Sequence, residues 1–196
     1  EIDGLKEIIH LGNNPFTVSK LNSTLAIKEI KNITVGENAT IELILNPSAA
    51  TGNISVFVNG IEYNLTTSDL TLTIPNLGAG DYYVRAFYHG NQNYSESNAL
   101  AVFKVSKVNP QITVNATNIT VGEDVLIEIT APEDVALPVL VDVGGRGYYV
   151  NITAGKGQLY VPYLDSGNYT VVVRYTGDDK YNETQNATKF EVSKVP

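Results

Sequence analysis

The chain has 196 residues, 43% of them hydrophobic, with 12 Tyr and no Cys, Met or Trp. It can build a core, but it has no disulfide framework, thiol nucleophile or thiolate metal site. The net charge of −8 argues against nucleic acid, which needs a basic face, and against electrostatic docking on anionic lipid. No run approaches the roughly 18 apolar residues of a membrane span.

Residues 1–19 read as an upstream segment or linker. Ile2, Leu5, Ile8 and Ile9 have helical spacing, which fits a short helix, a linker or the remnant of a different upstream domain. The start, Glu1-Ile2-Asp3, lacks the basic and apolar regions of a signal peptide. The chain is therefore expected to be a piece of a longer protein.

From residue 20 an internal repeat organises the sequence. Leu77, Gly80, Tyr82, Val84, Tyr88, Gly90 and Tyr94 recur as Leu164, Gly167, Tyr169, Val171, Tyr175, Gly177 and Tyr181, each 87 residues on. Pro75 and Pro162 share that offset, as do the exit motifs Phe103-x-Val105-Ser106-Lys107 and Phe190-x-Val192-Ser193-Lys194. The exit motif also stands 87 residues earlier, at Phe16, Val18, Ser19 and Lys20. Asn32-Ile33-Thr34-Val35-Gly36-Glu37 recurs at Asn118 to Glu123, one residue short of that offset. Two repeats follow, 20–106 and 107–196. The last residues match the entry to another copy, so the array is expected to continue.

In the second repeat the pattern predicts strands near 111–114, 118–122, 124–130, 137–143, 148–153, 157–163, 168–176 and 187–194. Turn residues separate them, and short strands with turns every 8–12 residues indicate a sandwich or barrel. Asn59-Gly60 predicts a two-residue hairpin, because both residues tolerate positive φ. Gly144-Gly145-Arg146-Gly147 joins two predicted strands and opens no helix, so it predicts a tight turn and no anion site. In 168–176, Tyr169, Val171, Val173 and Tyr175 share one face and are expected in the core. Tyr82 and Tyr169 are expected to be largely buried, with their hydroxyls returning to backbone at the preceding turn.

The pattern Leu164-x-x-Gly167-x-Tyr169-x-Val171-x-x-x-Tyr175-x-Gly177-Asp178-x-x-Tyr181 resembles the bacterial and archaeal Ig-like (Big-type) repeats found in tandem on cell surfaces. It is similar to the repeats of methanogen adhesin-like proteins, which are also rich in Asn, Thr and Tyr. The resemblance covers residues 20–196. It implies an all-β chain of two tandem Ig-like β-sandwich domains, located at the cell surface or cell wall. It also implies further Ig-like repeats in the same chain, and a surface glycan or protein of another cell as partner of the full-length protein.

Twelve Asn-x-Ser/Thr sequons are present: Asn22, Asn32, Asn38, Asn53, Asn64, Asn93, Asn115, Asn118, Asn151, Asn168, Asn182 and Asn186. With 28 Ser and Thr among 196 residues and 20 Asn, chance gives about three. Asn151 and Asn168 fall on the outward phase of their strands, where a glycan could face solvent. These Asn are glycosylation candidates, although Asn- and Thr-rich strands also generate sequons as a by-product.

Little points to catalysis or to a cofactor. Only His10 and His89 are present, so no Ser/His/Asp set can form in the second repeat. His89 is expected in a loop. The pairs Glu123-Asp124, Glu133-Asp134 and Asp178-Asp179 fall at predicted turns, where acids are solvated or cap backbone N–H groups. Asp178 and Asp179 are the first candidates for calcium, but no spacing guarantees the six or more converging oxygens it needs. Asn91-Gln92 replaces them in the first repeat. An isopeptide using Lys20 or Lys107 with Asn98 or Asn186 is conceivable, although those Lys lie in exposed boundary segments. Two functional readings remain: a stalk of repeated sandwiches, or a module that contacts a glycan or protein directly. For the second, Tyr148, Tyr149, Tyr160 and Tyr163 crowd one region as possible ligand-facing aromatics.

Overall fold

The computed structural model describes residues 17–196. The helix-spaced Ile2, Leu5, Ile8 and Ile9, with Phe16 of the first exit motif, lie outside the described residues.

Eight strands form in the first repeat: β1 (Thr24–Ile27), β2 (Ile33–Thr34), β3 (Ala39–Asn46), β4 (Asn53–Val58), β5 (Ile61–Thr66), β6 (Thr71–Ile74), β7 (Gly80–Tyr88) and β8 (Ser97–Ser106). They make a three-stranded sheet of order β1-β3-β6 and a five-stranded sheet of order β2-β8-β7-β4-β5. The second repeat gives β9 (Thr113–Ala116), β10 (Ile119–Thr120), β11 (Val125–Thr130), β12 (Val139–Val143), β13 (Arg146–Val150), β14 (Lys156–Val161), β15 (Gly167–Tyr175) and β16 (Thr184–Ser193). Their sheets have the orders β14-β11-β9 and β10-β16-β15-β12-β13. Two antiparallel sheets face to face, with early strands divided between them, define an Ig-like sandwich. The chain is all-β, with two such sandwiches in tandem. In each, one short strand joins the end of the larger sheet in parallel: β2 on β8, and β10 on β16.

The eight strands expected in the second repeat all form, with shifted ends. The stretch 118–122 shrinks to the two residues of β10, because Thr120 to Glu123 closes a turn around Gly122 at φ +98°. The stretch 148–153 moves back to β13, because Gly144 and Gly145, at φ +58° and +90°, make the hairpin turn itself and free Arg146 to pair with Val143. The Asn59-Gly60 hairpin forms between β4 and β5, at φ +47° and +85°. Both turns have the mirror-image twist that matches paired strands.

Each core comes from strand alternation. Val171, Val173 and Tyr175 of β15 are buried, while Thr170 and Arg174 are exposed. Ala39, Ile41, Leu43 and Leu45 alternate in the same way along β3. With no disulfide, this packing holds the sheets together, at about 1.5–3 kcal/mol for each fully buried aliphatic side chain.

Tyr82 and Tyr169 are largely though not fully buried, as expected. Each ring stacks on the Phe of its exit motif, Tyr82 on Phe103 at 5.0 Å and Tyr169 on Phe190 at 5.3 Å. One edge is left open so that the hydroxyl reaches backbone: Tyr82 donates to the Gly78 carbonyl at 2.8 Å, and Tyr169 to that of Asp165 at 2.9 Å. The deeply buried pair is Tyr88 and Tyr175, six residues further along the same strands.

Candidate functional site

The repeated Asn-Ile-Thr-Val-Gly-Glu segment is a structural clip. Asn32 Oδ1 accepts the Lys104 backbone N–H at 2.8 Å, and Asn118 Oδ1 accepts that of Glu191 at 2.8 Å. The following Ile pairs into the sheet, Ile33 with Val105 and Ile119 with Val192. Glu37 Oε2 takes both the backbone N–H and the hydroxyl of Thr34, and Glu123 Oε2 does the same for Thr120. The backbone and then the side-chain hydrogen bond from Thr hold each Glu carboxyl below the usual carboxylate range. The Asn Oδ1, the Thr N–H and hydroxyl, and the Glu Oε2 of the motif are therefore used in anchoring β2 and β10.

Asp178 also has its oxygens engaged. Oδ1 accepts the backbone N–H groups of Lys180 at 2.8 Å and Tyr181 at 2.6 Å, and Oδ2 accepts the Tyr175 hydroxyl at 2.5 Å. Burial acts against its charge. The Tyr175 hydroxyl and the two backbone donors outweigh that and hold the carboxyl below its ordinary value. Burial, followed by the Asp178 carboxylate, pushes the Tyr175 hydroxyl up. In the first repeat Asn91 closes the same turn, accepting from Asn93 and Tyr94 N–H at 2.7 and 2.8 Å. There the buried Tyr88 hydroxyl donates to the Thr51 carbonyl instead. Asp179 is exposed beside this loop. Among the described residues no group of three or more His, Asp or Glu converges as a metal site.

Asp134 anchors the neighbouring loop. It accepts Lys180 Nζ at 2.5 Å and the Tyr181 hydroxyl at 2.7 Å. The Lys180 hydrogen bond and then that of Tyr181 lower its pKa. Lys107, one of the crosslink candidates, donates Nζ to the Asp178 carbonyl at 2.5 Å and is exposed. Asn186 donates Nδ2 to the Ile112 carbonyl at 2.9 Å. Lys20 and Asn98 are exposed.

The four singled-out tyrosines do not share one surface. Tyr148 is half-buried against the core, while Tyr149 on the same strand is 79% exposed. Tyr149 faces outward on the five-stranded sheet and Tyr160, 60% exposed, faces outward on the three-stranded one. Outer faces of a sandwich point in opposite directions. Tyr163 is 94% exposed and sits at φ +58°. The same turn position 87 residues earlier is Asn76, at φ +59°. Asn adopts this left-handed backbone readily, whereas a bulky aromatic is strained there.

Of the twelve sequon asparagines, eleven are exposed and Asn182 is half-buried. The amide nitrogen, the atom that would carry a glycan, is already donated in two. Asn182 gives it to Asn109 at 2.7 Å, and Asn186 to Ile112 as above. Asn64 Oδ1 lies 3.3 Å from the Ser55 hydroxyl.

Two groupings were not legible in the sequence. Ser55, buried on β4, meets His89 Nε2 at 2.9 Å as well as Asn64. Its hydroxyl is thus enclosed between two side chains and makes a structural bridge. The other is an aromatic face on β4 and β7, which groups Phe57, Tyr83 and Phe87. Comparing the outward phases of the two repeats would have found it.

No family model matches the chain, and no curated protein is detectably similar to it. Among solved structures it is similar to the titin domains Z1Z2 in complex with telethonin, at 15% identity and a TM-score of 0.45, covering 91% of this chain and 100% of that one. The fibronectin(III)-like modules of Clostridium thermocellum CbhA match at 16% identity and 0.38, covering 87% and 94%. Sidekick-1 immunoglobulin domains 1–5 match at 14% and 0.38, covering 88% of this chain and 40% of that one. The Ig-like assignment rests on the strand order. Among the described residues, no helix is long and apolar enough to cross a membrane.

Proposed function

We propose that this chain is part of the stalk of an adhesin-like protein of the cell surface, whose tandem Ig-like sandwiches, residues 20–106 and 107–196, act as spacers in cell adhesion and carry no catalytic centre. What supports this is the nature of the features the two repeats share. The Asn-to-Glu clip, the stacked Tyr and Phe, and the capped loop before Tyr94 and Tyr181 all build the sandwich. Exposed turn residues differ, Asn76 against Tyr163 and Gln92 against Asp179. Function on such scaffolds resides in loops, so a shared frame with unlike loops suits a spacer. The exposed sequons would carry N-glycans in an extracellular setting, with Asn182 and Asn186 modified least because their amide nitrogens are engaged.

A second reading is favoured by Tyr163. Strain held by a fully exposed aromatic suggests a contact residue, which would make the second repeat a module that touches a glycan or protein of another cell. A glycan array probed with the 196-residue chain separates the two readings. The spacer reading expects no glycan bound above background. A glycan bound by the chain and lost in Tyr163→Ala would replace it with direct contact.

A further inference from the structure

Strand β7 carries aromatic side chains on its outward face, and its counterpart β15 does not. Val84, Ala86 and Tyr88 point inward and are buried. The outward positions are Tyr83, Arg85 and Phe87, where β15 has Thr170, Val172 and Arg174. An outer sheet face is ordinarily polar. Here Tyr83 is 65% exposed and Leu100, on β8, is 72% exposed. Phe57 and Phe87 meet edge to face, with ring centroids 6.0 Å apart. The Arg85 guanidinium lies 5.2 Å from the centre of the Phe87 ring. Phe57, Tyr83, Arg85 and Phe87, with the Asn59-Gly60 turn, line a shallow groove of about 360 Å³.

The pairing sets one row across this face. Phe57 stands opposite Glu62 on β5 and opposite Arg85 on β7. Directly paired residues point to the same side, so the row reads acid, aromatic, base. The charges flank Phe57 at one strand spacing each, about 4.8 Å. Rotated by half a turn about its middle and laid on itself, such a row is its own complement. An isologous interface requires that property. A face made for an acidic or a basic ligand would instead carry one sign. The corresponding row of the second repeat, Gly147, Asp142 and Val172, lacks it.

We propose that this face of the first repeat is a self-association surface, on which a second copy of the chain docks face to face. Phe57 lies near the two-fold axis, and each Arg85 faces the partner subunit's Glu62. The exposed apolar area is a few hundred Å², less than the roughly 800 Å² per partner of a standard stable interface. The association is therefore weak and reversible. It does not rest on the spacer reading, and it requires Asn64, which shares this face with Glu62 on β5, to be free of glycan.

Sedimentation equilibrium of the 196-residue chain, up to about 1 mM, tests this. A dimer population rising with concentration is expected. Arg85→Glu and Glu62→Arg should each weaken it at least about ten-fold, because like charges then meet across the interface. The double variant should return to within about three-fold of the parent, as for a directly coupled pair. Both positions are exposed, so the fold survives, which circular dichroism would verify. Glu128→Arg, a similar charge reversal at an exposed position of β11, should leave association unchanged. A chain that stays monomeric throughout, or a double variant as weak as the singles, overturns the proposal.

Discussion

The Tyr175 hydroxyl donates to the Asp178 carboxylate at 2.5 Å, and the same carboxylate caps the loop that leads to Tyr181. One titratable group thus ties a buried core tyrosine to a surface turn. In the first repeat that turn is closed by Asn91, which does not titrate.

The difference predicts acid sensitivity in one repeat. The Asp178 pKa is lowered in the fold, so its contribution is present above the unfolded value, near 3.9. It is lost as pH falls through the lower, folded value. Asp134 acts in the same sense. In NMR titrations the Lys180 and Tyr181 amide signals should move with a midpoint below the ordinary Asp range. The Tyr94 amide, bound to Asn91, should not follow that titration. A Tyr181 midpoint at or above 3.9 would contradict the assignment.

Tyr175→Ala should cost about 3–5 kcal/mol, as for other buried aromatic truncations. Tyr169→Ala should cost less, because that ring is not fully buried and its hydroxyl bond contributes about 1 kcal/mol. Urea denaturation of the two variants would rank them, and the reverse order would be inconsistent with the burial found here.

Asn118→Ala removes the acceptor of the Glu191 N–H. A loss of about 1 kcal/mol is expected, with faster hydrogen exchange at Glu191 and at Val121, whose N–H bonds the Ser193 carbonyl. Asn118→Asp keeps an acceptor oxygen and should retain most of that protection. If both variants exchange like the parent, the clip has no energetic role.

Tyr163→Asn places at φ +58° the residue type that Asn76 supplies in the first repeat. Relief of left-handed strain should stabilise by about 0.5–1 kcal/mol, which raises the melting temperature by a few degrees. A lower melting temperature would mean that the exposed ring makes a contact worth more than the strain.

Gly177 has φ +83°, and a Cβ there would stand 2.9 Å from the Tyr181 carbonyl oxygen and from the Glu183 nitrogen. Gly177→Ala is expected to cost about 1–3 kcal/mol and to disrupt the turn capped by Asp178. Calorimetry showing the variant unfolding at the same temperature as the parent would count against this.

The sequence by itself determined the eight strands of the second repeat, the hairpins at Asn59-Gly60 and Gly144-Gly145, and the inward phase of Val171, Val173 and Tyr175. These follow from local rules: side-chain alternation along one strand, and the φ values that Gly and Asn tolerate. It also marked the Asn-Ile-Thr-Val-Gly-Glu repeat but not its use, since the bonds of Asn32 and Asn118 go to residues 72 and 73 positions away. Only the tertiary structure decided which tyrosines are fully buried, because Tyr82 and Tyr88 share an inward phase and differ only in their depth between the sheets. Only it separated Tyr149 from Tyr160, which lie near each other in sequence but on sheets facing opposite ways. The row of Glu62, Phe57 and Arg85 likewise depends on register across three strands. Register is fixed by which residues pair through space, and no local pattern along one strand encodes it.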